Sequence, residues 1–137
     1  MTALAFSFTK LVVSDLDASE RFYRDVFGMK SIHRVVSEEH TYGLEEVVMS
    51  ISGAKGEHEL IITHYLNRPC PLPGAAWTGF AVADIAATLD DVEKAGGKVE
   101  VGVHENAEHG VLAAIAADPD GHLIEVIQVL PANIRES

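Results

Sequence analysis

Leu66-Asn67-Arg68-Pro69-Cys70-Pro71-Leu72-Pro73-Gly74 lies near the middle of the chain and carries three of its five prolines. Prolines at alternate positions sustain neither a helix nor a central strand, so the stretch reads as a linker over residues 66–76. A linker there invites comparison of the two halves, about 5–65 and 77–130, as modules within one domain of 1–137.

The halves match without gaps. Thr9, Val13, Asp15, Leu16, Ser19 and Gly28 stand at one constant offset from Thr78, Val82, Asp84, Ile85, Thr88 and Gly97. In each half an apolar stretch (Phe6 to Val13; Phe80 to Val82) leads to an aspartate, a helical pattern and a glycine. In the first helix Asp17 is expected as N-cap with Glu20 completing a capping box, and Phe22, Tyr23, Val26 and Phe27 share a face. In the second, Ile85, Leu89 and Val92 recur at helical spacing, and Gly96-Gly97 supplies the stop. Strand-like segments follow: Ser31 to Ser37, Leu44 to Ser52 and Glu59 to Tyr65, then Lys98 to Val103, Val111 to Ala117 and Leu123 to Leu130. Asp118-Pro119-Asp120-Gly121 joins the last two as a tight turn, proline presetting φ and glycine accepting a positive one. The order is βαβββ, linker, βαβββ, an α+β fold.

A length of 137 residues suits one domain, and 47% hydrophobic with 23% charged residues excludes wholesale disorder. The net charge of −11 repels nucleic-acid phosphates and anionic lipid, which argues against nucleic-acid and membrane partners. The same charge favours a cationic ligand over an anionic one, and serves solubility in any case. Cys70 is the single cysteine, so there is no intramolecular disulfide and no thiolate-built zinc site. Residues Met1 to Phe8 lack a basic stretch followed by an apolar run, and no apolar segment approaches the roughly 20 residues that span a bilayer. A cytoplasmic protein is expected.

Phe8-Thr9-Lys10-Leu11-Val12-Val13-Ser14-Asp15-Leu16, then Arg21-Phe22-Tyr23 and Val26-Phe27-Gly28-Met29, resembles the opening of glyoxalase-like proteins. Asp118-Pro119-Asp120-Gly121-His122-Leu123-Ile124-Glu125 resembles their closing hairpin. The resemblance is to the vicinal-oxygen-chelate superfamily of glyoxalases, bleomycin-resistance proteins and extradiol dioxygenases. It implies two βαβββ modules whose sheets curl into a half-open barrel, and a homodimer. It also implies a divalent metal held by histidine, glutamine or glutamate from four strands, gripping two substrate oxygens and stabilising an oxyanion.

Carried over position by position, that implied ligand set is incomplete. The first-strand position falls on Phe8, which cannot bind a metal, and the second module's first strand offers Thr78, a poor neutral ligand. Glu125, in the final strand, is a good one. The fourth position lies in Glu59 to Tyr65, with Ile62 or Glu59 as candidates. Because side chains alternate along a strand, Glu59 and His64 cannot both face the cavity without a bulge. Two ligands fall short of the usual three or four, so the metal site is expected to be broken, with the cofactor left open between none and a weakly held nickel, zinc, iron or manganese ion.

Other residues can still do chemistry there. Phe6, Phe8, Lys10 and Val12 share a strand face, so Lys10 points inward if Phe8 does. It could pair with Glu125, hold a substrate carboxylate or act as a base; alternatively it reaches solvent over its stem. Glu125, with Ile127 and Val129 at alternate positions, is expected among apolar neighbours that suit it to proton transfer, or else serves a structural pairing. His40, His58, His104, His109 and His122 lie in or beside turns and read as surface; His33 and His64 lie in strands, and His64 is the better cavity candidate. Trp77 either lines a ligand groove or anchors the core. Cys70 has no base beside it in sequence. Two functions remain. One is a glyoxalase-like enzyme on a small oxygenated molecule, in which Glu125 moves a proton and Lys10 or His64 stabilises negative charge, with Phe8, Trp77 and Thr78 against the substrate. The other is a bleomycin-resistance-type protein that sequesters a bulky or cationic molecule without catalysis.

Overall fold

A computed structural model of the chain describes residues 2–38, 41–106 and 108–131. The elements are β1 (Phe8–Val12), α1 (Leu16–Phe27), β2 (Lys30–Ser37), β3 (Leu44–Ser50), β4 (Glu59–Tyr65), β5 (Thr78–Ala81), α2 (Ile85–Lys94), β6 (Lys98–Asn106), β7 (Val111–Ala117) and β8 (Leu123–Val129). They form two four-stranded mixed sheets ordered β1-β4-β3-β2 and β5-β8-β7-β6. The two orders are the same, which is what the constant offset between the halves predicts. The chain divides into two compact units, Met1–Arg24 with Gly28–Leu72 and Asp25–Phe27 with Pro73–Ser137.

The helix starts are duplicated to the residue. Asp15 and Asp84 both have extended backbones, and their carboxylates accept from Ala18 N at 3.1 Å and Ala87 N at 3.0 Å. Each satisfies an orphan amide of the first turn. The expected cap Asp17 instead sits inside the first turn of α1 and contacts Arg34 at 2.9 Å. The helix begins two residues earlier because Asp15 reaches forward to Ala18. Gly28 ends α1 in the left-handed region at φ 69°, its amide bonding back to Arg24 O at 3.0 Å. The β7–β8 turn closes as expected: Asp118 Oδ1 accepts from Asp120 N and His122 N, and Gly121 turns at φ 94°.

In the first unit the core draws on Leu11, Val13, Val47, Met49, Leu60 and Ile62, together with Phe22 and Tyr23 of α1. Arg34 of β2 reaches Asp17 and Glu20 of α1 and Glu45 of β3. In the second unit Ile124, Val126, Ala114 and Ala116 are fully buried, as is Val92 of α2. Gln128 Oε1 accepts from Ile85 N at 2.9 Å, which fixes the Ile124–Val126–Gln128 side of the sheet as the side facing α2.

A polar hollow in the first sheet as candidate site

Strand register decides which side chains meet. β1 runs parallel to β4 with Phe8 opposite Glu59, Lys10 opposite Ile61 and Val12 opposite Thr63. β3 lies antiparallel with Leu44 opposite Tyr65 and Glu46 opposite Thr63. Paired residues share a face, so Lys10, Val12, Glu46, Thr63 and Tyr65 project to one side. There they line an open hollow of about 560 Å³ with Val35, Ser37, Tyr42 and Leu44.

At its centre Lys10 Nζ lies 2.8 Å from Glu46 Oε2, and Thr63 Oγ1 donates to the same oxygen at 2.8 Å. The Glu46 side chain is only 11% exposed whereas that of Lys10 is 40% exposed. The carboxylate is therefore sunk in the sheet and compensated by two donors, while the ammonium stands in the opening. Isolated, a charge so buried would be costly; paired and hydrogen-bonded it is tolerated. At the edge of the hollow the Arg68 guanidinium lies over the Tyr42 ring at 3.8 Å and within 5.6 Å of Tyr65. Its Nη2 donates to Thr41 O at 3.3 Å and Asn67 Nδ2 donates to the same carbonyl at 3.0 Å. The start of the proline-rich linker is thus strapped to the segment that carries Tyr42.

The residues singled out in the sequence fall as follows. Lys10 enters the hollow, and the carboxylate that it pairs with is Glu46, not the Glu125 considered from the sequence. Phe8 shares the Lys10 face and is 48% exposed. His64 stands on the opposite side of β4, between Ile62 and the end of the strand in parity, and its Nδ1 is 3.1 Å from Val13 O. It does not share the hollow with Lys10. Of the two fourth-position candidates, Glu59 lies on the Phe8 face and accepts from Gly56 N at 3.2 Å, whereas Ile62 is fully buried on the other.

In the second sheet Glu125 is opposite Gly79, and Thr78 is opposite Ile124 on the α2 side. The residue that stands before Asp84 at the distance of Phe8 before Asp15 is Trp77, one short of Thr78. By alternation Trp77 joins Gly79 and Glu125 on one face, where it is 50% exposed, and the Thr78 hydroxyl is turned inward and buried. Glu125 is exposed, so the desolvated setting expected for it is absent. His58 is exposed and stacks on Phe6, His104 and His109 are exposed, and His40 lies outside the described residues. Cys70 is exposed with Sγ 3.8 Å from Val12 O. Sequence reasoning missed Glu46 and Thr63.

A family model described as the Glyoxalase/Bleomycin resistance protein/Dioxygenase superfamily matches residues 5–126. The chain belongs to that superfamily. Within it, a lactoylglutathione lyase of Haemophilus influenzae is 30% identical over 122 residues, covering 88% of this chain and 89% of the relative. A probable lactoylglutathione lyase of Vibrio parahaemolyticus is 34% identical over 124 residues, covering 88% and 87%. Among solved structures, a glyoxalase family protein from Bacillus cereus superposes with a TM-score of 0.80 at 18% identity, covering 96% of this chain and 97% of that one. Glyoxalase I from Zea mays gives 0.75 at 19% identity, over 90% of this chain and 44% of its own. These likenesses establish the glyoxalase fold. Among the described residues no helix is long and apolar enough to cross a membrane.

The metal that the superfamily implies needs donors from four strands. The corresponding positions here carry Phe8, Trp77 and Glu125, with β4 offering Glu59, whose carboxylate turns to Gly56. Among the described residues no three His, Cys, Asp or Glu side chains gather in a manner that could hold an ion. A phenyl and an indole ring supply no lone pair for coordination, so this donor set does not fit the group.

Proposed function

We propose that this chain is a glyoxalase-superfamily enzyme acting on a small oxygenated molecule, in which Lys10 supplies the positive charge that relatives take from a divalent ion. The observation that carries this reading is the Lys10–Glu46–Thr63 cluster at the base of the hollow. An ammonium held by a buried carboxylate is a fixed charge at the wall of a partly apolar space. A substrate oxygen that gains negative charge there meets a cation already held in place by its carboxylate. Val12, Val35 and Leu44 supply apolar walls beside it, and Ser37 offers a further polar contact. Glu125, exposed on the second sheet, takes no part in this reading. The superfamily resemblance adds a homodimer to this proposal, and the cytoplasmic setting expected from the sequence goes with it.

The relatives' name makes lactoylglutathione the first compound to offer, followed by small 2-oxo and hydroxy-oxo compounds. The test is ligand-detected NMR on chelator-treated protein, with Lys10→Met as comparison. Saturation transfer to one of these compounds, lost in Lys10→Met, supports the site; binding that persists unchanged in Lys10→Met places it elsewhere.

A second reading, sequestration without turnover, draws on one observation. Tyr42 and Tyr65 form a tilted pair 6.0 Å apart that already receives a cation, the Arg68 guanidinium. An aromatic wall that accepts one guanidinium can accept a cationic ligand in exchange. Binding of a cationic glycopeptide with no turnover of any oxo compound would select this reading.

A further inference from the structure

We infer that Lys10 is a covalent catalyst, capturing a small neutral ketone or aldehyde as an imine, with Glu46 carrying the proton. The inference deepens the function proposed above and rests on the hollow being the binding site. Three features of the cluster lead to it. First, Lys10 is a primary amine on a flexible stem, and its side chain is exposed at the hollow rather than sealed into the pair. An ion pair kept for stability alone gains little over apolar residues of the same volume, and has no need to present its ammonium to a cavity. Second, Glu46 Oε2 is 2.8 Å from Nζ, close enough to take a proton directly, and Thr63 holds that oxygen in place. Third, Lys10 and Glu46 cancel in charge, so a neutral carbonyl compound enters against Val12, Val35, Leu44 and the two tyrosine rings without desolvating an ion of its own.

The step balances within these groups. A proton passes from the Lys10 ammonium to Glu46, leaving a free amine whose lone pair attacks the carbonyl carbon. A C–N bond forms, the carbonyl π bond opens, and a proton passes from the attached nitrogen to the oxygen, which gives a neutral carbinolamine. Glu46 returns its proton to the departing oxygen, the C–O bond breaks, and water leaves. The product is a protonated imine on Lys10 beside a Glu46 carboxylate, with the same net charge as at the start and no oxidant or reductant consumed. The positive nitrogen then withdraws electrons from the neighbouring carbon, which is the service that lysine imines give in catalysis.

The experiment is reductive trapping of the full chain with dihydroxyacetone and cyanoborohydride, read by intact mass and peptide mapping. The expected result is one adduct per chain, on Lys10. It should disappear in Lys10→Arg, which keeps the charge and a partner for Glu46 but cannot form the imine. Trapping should slow in Glu46→Gln. An adduct spread evenly over Lys30, Lys55, Lys94 and Lys98, or undiminished in Lys10→Arg, overturns the inference; unslowed trapping in Glu46→Gln overturns the proton path. Saturation transfer to dihydroxyacetone without reductant is run beside it. Transfer lost in Lys10→Met, with no adduct in the native chain, sinks the imine and leaves the site standing. Absence of both transfer and adduct overturns the inference, while the site itself is judged by the wider ligand panel.

Discussion

Glu46 is the residue on which the chemistry turns, because a carboxylate sunk in a sheet must be answered by whatever surrounds it. Thr63→Val removes one of its two donors and should destabilise the protein by about 1–3 kcal/mol in urea unfolding, the cost of leaving a buried polar group under-satisfied. Lys10→Met strips the cation and should cost at least as much, whereas Lys10→Arg should leave the midpoint nearly unchanged because the pair survives. Equal losses for Met and Arg at position 10 would show that packing of the stem, rather than charge, is what matters. Part of this was legible beforehand. Alternation in Phe6 to Val12 placed Lys10 beside Phe8, and the parity argument ruled that Glu59 and His64 could not share a face. Glu46 was not legible because Leu44–Ser50 is apolar on both faces: Leu44 and Val48 flank it on one, Val47 and Met49 fill the other. No alternation signal then says which glutamate, 45 or 46, looks inward. His64 stands out as a chemical type, and its ring contact with Val13 O, on the face opposite Lys10, shows it turned away.

Among the elements, the two helix starts offer a matched pair of tests. Asp15→Ala and Asp84→Ala should each cost about 1 kcal/mol, the usual worth of an N-cap, and Asp17→Ala distinctly less at the cap while weakening the contact with Arg34. Thermal or urea unfolding decides between them; a larger loss for Asp17 than for Asp15 would restore the capping box expected from the sequence. That expectation failed because Asp15 and Asp17 both precede helical residues, and the spacing to Glu20 favoured the wrong one. Strand positions were read well wherever a turn signal bounded them, as for Glu59–Tyr65 and Val111–Ala117. They drifted where none did, as for β6, which runs on to Asn106. The loop between β3 and β4 is pinned by Glu57, whose carboxylate accepts from the Ser52 hydroxyl at 2.6 Å and the Ser52 amide at 3.0 Å. The Ser52 hydroxyl and amide hold its pKa below the ordinary 4.5. A group depressed on folding stabilises above its unfolded value, and that contribution is lost as pH falls through the folded value. Protection of the Ser52 amide, taken as the ratio of intrinsic to observed exchange rate, should therefore hold while Glu57 is ionised and fall as pH drops through its lowered pKa, and Glu57→Gln should flatten the change. Equal pH dependence in Glu57→Gln would assign it to another group.

For the whole molecule, duplication explains why so much of the fold could be read from one sequence. Two copies of the same order, each with its capping aspartate, stopping glycine and final hairpin, give every element a second witness. The site had no such redundancy. One residue of misregister before Asp84 exchanged Trp77 for Thr78, and with it an aromatic face for a hydroxyl. In the function proposed above an ammonium takes the part of an ion in this glyoxalase-fold chain. Equilibrium dialysis of the native protein against nickel and zinc, followed by elemental analysis, examines that replacement without any substrate. No stoichiometric retention of either metal is expected. One ion retained per chain, and lost on Glu125→Ala, would overturn the replacement.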